Sequence, residues 1–98
     1  MLIKIHNAYR LIVAVCDEDL IGKKFEQDIK QLDLTGAFFK GEEKTEKETE
    51  EIILDQLKED ATFNVVGKKS CNLFRKLGLI TEEGITYVDS VPVALILS

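Results

Sequence analysis

The stretch TFNVVGKKSCNLFRKLG, Thr62–Gly78, changes its period in the middle. Thr62 to Val66 is a short β-prone run and reads as a strand. Gly67 breaks it. Lys68 to Leu77 then follows a helical repeat and stops at Gly78, the residue type that favours a helix C-terminus. Lys68, Lys69, Asn72, Arg75 and Lys76 fall on one face of that helix, and Ser70, Leu73, Phe74 and Leu77 on the other.

Upstream, Leu2–His6 alternates, and Arg10–Cys16 is a nearly continuous apolar run. With the turn at Asn7-Ala8-Tyr9 they predict a hairpin, its second strand central and covered on both faces. Asp17 caps a short helix or turn that Gly22 ends. Ile29–Leu34 alternates as a third strand, with Leu32 and Leu34 turned to the core. Ala37-Phe38-Phe39 is a further extended segment. One ring faces in, and the other is covered by the following helix. That helix lies within Gly41–Asp60, where Thr45 and Glu48 have capping-box spacing. Ile53, Leu54, Leu57 and Ala61 form its core face, and Ile52 its edge. Its first half lacks an apolar stripe and reads as a solvated extension or loop. Downstream, Ile85–Val88 and the run after Pro92 are β-prone. Strands dominate the start and helices come later. The expectation is an α+β fold: one domain over 1–98, with a mixed, mainly antiparallel sheet of four to six strands and two helices.

Composition narrows the function. The 98 residues are 45% hydrophobic and 32% charged, which supports a packed core and excludes wholesale disorder. The apolar runs are too short to cross a membrane, and no secretory signal is visible, so a cytoplasmic location is expected. The net charge of −5 is concentrated: residues 42–60 carry nine acidic and three basic side chains. That acidity argues against general nucleic-acid binding but permits a local basic patch. Cys16 and Cys71 are isolated and read as reduced, buried thiols.

Three arrangements could carry chemistry. The basic helix face Lys68, Lys69, Asn72, Arg75 and Lys76 suits RNA phosphates, a ribonucleoprotein or an acidic protein surface, unless the acidic helix of the same molecule neutralises it. Gly67, Lys68 and Ser70 open a helix and so offer an anion site, although both phosphate-loop glycine spacings are missing. Ser70 is better read as a capping or packing residue than as a nucleophile. The turn Asp17–Lys23 is rich in carboxylates but lacks a calcium-loop pattern. A zinc site from Cys16, Cys71 and His6 would lack a fourth ligand and ligand spacing. Neither metal nor cofactor is therefore expected.

The ordered segments also carry a resemblance. His6, Tyr9-Arg10-Leu11, Val15–Lys23, Leu32-Asp33-Leu34, Phe38–Glu42, Asn64–Ser70, Leu77–Ile80 and Val91-Pro92 together resemble a small, uncharacterised archaeal conserved family, a domain of unknown function. The resemblance implies a cytosolic archaeal protein standing alone as one α+β domain. Its setting points towards translation or RNA metabolism, and it supplies no catalytic residues. Val93 and Leu95 depart from the polar residues that follow Val-Pro in the family.

The favoured reading is a non-enzymatic interaction module associated with RNA or the translation machinery. The alternative is a small enzyme, or an anion- or nucleotide-binding domain, in which the Asp17–Lys23 turn and the Gly67 helix start share a cleft. A third reading is a homo-oligomer joined through the last strand, Val93–Leu97.

Overall fold

The computed structural model describes residues 1–97. The strands are β1 (Leu2–Asn7), β2 (Leu11–Cys16), β3 (Lys24–Gln27), β4 (Lys30–Asp33), β5 (Glu42–Glu43), β6 (Thr62–Val66), β7 (Ile85–Val88) and β8 (Val91–Ile96). The helices are α1 (Glu46–Leu57) and α2 (Lys68–Lys76). Six strands form a mixed sheet in the order β5-β1-β2-β6-β8-β7, and β3-β4 form a separate hairpin. The fold is α+β, as expected.

The β2–β6 pair is parallel, while every other strand pair is antiparallel. A parallel pair needs a long crossover. Here the crossover holds the β3-β4 hairpin, β5 and α1. Alternation along β2 and β6 sends Val13, Val15, Phe63 and Val65 into a core with Ile53 of α1 and Cys71, Leu73 and Phe74 of α2. Phe63 and Phe74 meet edge to face at 5.4 Å. On the opposite sheet face, Cys16 and Val66 pack with Leu34, Phe25, Leu32 and Phe39. The central strand β2 is thus covered on both sides, by helices and by the small hairpin.

Several expectations change. Residues 24–27, too polar to read as a strand, pair with β4 as β3. Ile29 is a fully exposed turn residue rather than the start of a strand, after Asp28 at φ 55°. Ala37-Phe38-Phe39 is not a strand but bends and turns. Phe38 stacks on the His6 ring at 4.4 Å instead of lying under the acidic helix. Asp17 precedes a short 3-10 turn at Glu18–Leu20 but does not cap it with its side chain. The capping box of α1 is present, with Thr45 Oγ1 accepting from Glu48 N–H at 3.1 Å and Glu48 Oε1 accepting from Thr45 N–H at 2.9 Å. Leu54 is 45% exposed, however, and the buried face of α1 runs through Thr49 and Ile53. Strand β8 lies between β6 and β7, so it offers no free edge for oligomerisation.

Both thiols are fully buried and free. Burial, then the charges of Asp17 and Asp19, pushes Cys16 up to about 12. Burial, then Asp17, raises Cys71 to about 11. The thiolate is the nucleophile, so at pH 8 neither should react with a thiol-specific chromogenic reagent in the native protein. Two equivalents should react at once in denaturant. Native reaction at the free-cysteine rate would refute the packing.

Candidate functional site

Because β2 and β6 run parallel with Cys16 opposite Val66, their C-terminal ends lie side by side. Asp17 follows β2 and Gly67 follows β6. Asp17 N–H donates to the Val66 carbonyl at 3.0 Å, and Gly67 N–H donates to the Pro92 carbonyl at 2.9 Å. The Asp17 side chain then reaches the start of α2. Its Oδ2 accepts from Lys69 N–H at 3.0 Å, and its Oδ1 accepts from Ser70 N–H at 2.8 Å and Ser70 Oγ–H at 2.7 Å. Asp17 is 5% exposed and Ser70 fully buried.

A helix N-terminus favours an anion through its free N–H groups and the helix dipole. The anion on Gly67-Lys68-Lys69-Ser70 is the molecule's own Asp17 carboxylate. Ser70 is thus not itself the cap: it is a buried donor that packs in the helix and holds the Asp17 carboxylate in place. Gly67 permits this, since it sits at φ 109° and a Cβ there would come 2.2 Å from Asp17 Cγ.

The cap fixes the exposed face of α2. Lys68, Lys69, Asn72, Arg75 and Lys76 are all exposed, whereas Ser70, Cys71, Leu73 and Phe74 are buried. Only Arg75 among these cations makes an ion pair among the described residues, to Glu82 at 3.0 Å. Neutralisation by the acidic helix does not occur through any direct pair.

Two clefts border this face. One, of about 380 Å³, brings together Asp17, Asp19, Lys68, Lys69, Asp89 and Ser90. The turn after β2 and the start of α2 therefore do share a cleft. The other, of about 670 Å³, sets Lys69 and Asn72 across from Glu43, Glu46 and Glu48. There Glu18 and Glu43 share a hydrogen bond that holds the Glu18 carboxyl below its usual range and Glu43 above it.

The remaining candidates are dispersed. Cys16 lies in the core under the hairpin and Cys71 in the core under the helices, on opposite faces of the sheet. His6 contacts the Phe38 carbonyl oxygen through Nε2 at 2.9 Å. Among the described residues no group of three or more His, Cys, Asp or Glu side chains is placed to hold a metal ion. Among the described residues no helix is long and apolar enough to cross a membrane.

Comparison with known proteins adds family and fold. A family model described as "Protein of unknown function (DUF424)" matches residues 6–98. The chain is similar to the crystal structure of an uncharacterised conserved protein from the archaeon Methanopyrus kandleri. The identity is 25%, with a TM-score of 0.85 over 98% of this chain and 90% of that one. No curated protein matches.

Proposed function

We propose, for a chain that belongs to the DUF424 family of unknown function, a non-enzymatic role as a docking module that presents α2 to an anionic macromolecule, RNA foremost. One observation carries this reading. Every polar side chain on the outer face of α2 is exposed, and the helix beneath is anchored by a buried aromatic contact and by the Asp17 cap. Phosphate binding rewards cations held in a fixed array, and Asn72 adds a neutral hydrogen-bonding group among them.

The test is fluorescence anisotropy with a labelled single-stranded RNA of about 12 nucleotides. With three to four phosphates neutralised, affinity should fall about 30-fold between roughly 50 and 200 mM salt. Lys68→Glu/Lys76→Glu should abolish that binding at unchanged helicity, since among the described residues neither lysine is in an ion pair. Binding that the double variant leaves intact would defeat the proposal. Preference for an acidic peptide over RNA would keep the surface and change the partner.

A second reading follows from the 380 Å³ cleft. Its lysines and Ser90 would hold a small phosphorylated ligand, as an anion- or nucleotide-binding domain or a small enzyme does, but Asp17, Asp19 and Asp89 line the same cleft and oppose an anion, so this reading ranks second. ATP in place of RNA in the same titration separates the two.

A further inference from the structure

We propose that the outer edge of β1 beyond Ile3 is a docking site for an extended acidic peptide, which adds there as a strand. This surface is separate from the α2 face.

The edge is only partly covered. β5 pairs with Leu2 and Ile3 alone. Before it, the Met1 amine donates to the Lys44 carbonyl at 3.1 Å, and Lys44 N–H donates back to the Met1 carbonyl at 2.8 Å. Backbone groups alternate in direction along a strand, so Met1, Ile3 and Ile5 all turn theirs outward. Lys40 is the residue that would face Ile5 if β5 continued. It does not, because its N–H donates to the Ala37 carbonyl at 3.1 Å. The chain first reaches β1 at Gly41, where a Cβ would lie 2.2 Å from the Ile3 carbonyl oxygen, and runs from there along β1 towards Met1, away from Ile5. Among the described residues the Ile5 N–H and C=O have no partner across this edge.

The missing strand leaves a groove of about 550 Å³. Ile3, Ile5 and Ile52 line it, and Ile5 is 45% exposed. Its charged lining is Lys4, Lys40 and Lys44 with Glu42, a net of +2 in a chain of −5. Lys44 pairs with Glu42 at 3.2 Å and Lys4 Nζ donates to the Ala37 carbonyl at 3.1 Å, so Lys40 is the lysine of the groove whose amine has no partner among the described residues. An unpaired edge is a template for another strand. The lysines choose the occupant. They repel a second copy of the same edge and attract an acidic segment. Ile5 and Lys4 point to opposite sheet faces. The fitting peptide therefore alternates, with apolar side chains towards Ile5 and Ile52 and carboxylates that meet Lys40.

The probe is a blocked hexapeptide alternating glutamate and valine, with a lysine–valine counterpart as control. Amide exchange at Ile5 should slow about tenfold when the acidic peptide is present at about ten times its Kd. The lysine peptide should bind at least about tenfold more weakly. Lys40→Glu, at an exposed loop position, should erase that preference, and an unchanged far-UV spectrum would show the fold retained. Unaltered Ile5 exchange in excess peptide would overturn the proposal. So would equal binding of the two peptides, or a dimer in which Ile5 is already protected.

Discussion

Gly67→Ala is expected to lower the unfolding free energy by about 4 kcal/mol, combining backbone strain with overpacking. At φ 109° and ψ 158° the residue occupies a region that side chains rarely enter. The added Cβ would also fall 2.2 Å from Asp17 Cγ, so the carboxylate must leave the helix start. Urea unfolding followed by circular dichroism measures the loss. A change under about 1 kcal/mol would mean that the close approach of Gly67 and Asp17 is absent.

Asp17→Ala should cost about 3 kcal/mol, through loss of charge-assisted hydrogen bonds and of the helix cap. Three donors lose their acceptor at once, two of them on fully buried Ser70. Asp17→Asn keeps an acceptor oxygen and should cost less. The two sites are coupled. Once Asp17 is alanine, the Cβ of Gly67→Ala no longer meets a carboxylate, and only the backbone strain remains. The double variant should therefore be more stable than the two losses added together, by about 1–3 kcal/mol. Strict additivity would show that the contact is not what makes Gly67 necessary.

How far the sequence could be read depended on where each constraint was local. The strand–glycine–helix passage at 62–78 was legible because its strand, break and helix stop are all written in adjacent residues. The capping box at Thr45 and Glu48 was legible for the same reason. Thr49 was not, because a threonine in an apolar stripe looks polar until its hydroxyl is seen to donate to the Thr45 carbonyl at 2.8 Å. That back-bond hides the polar group and moves the buried face away from Leu54. The β3-β4 hairpin was missed because its turn is Asp28-Ile29, without the glycine that usually marks a positive φ.

The Asp17 cap lay furthest from view, since it spans 53 residues to Ser70. A trace of it exists in the sequence. Helix α2 opens on two lysines, with no acidic residue in its first turn and no side chain on its N-cap glycine. That is an electrostatically poor start for a helix and signals an anion supplied from elsewhere. The exposed face of α2 was easier, because a nine-residue helix with one buried face leaves no choice about which residues point outward.

The parallel β2–β6 pair also orders events during synthesis. The β1–β2 hairpin can close as soon as residue 16 has left the ribosome, since its contacts are local. β2 then waits for β6, some 45 residues later, while its inner edge stands open to other chains. Closing so wide a loop carries an entropic cost that short-range pairing avoids. A central strand whose last four residues are buried in the finished protein is thus its most exposed liability while the chain is still being made.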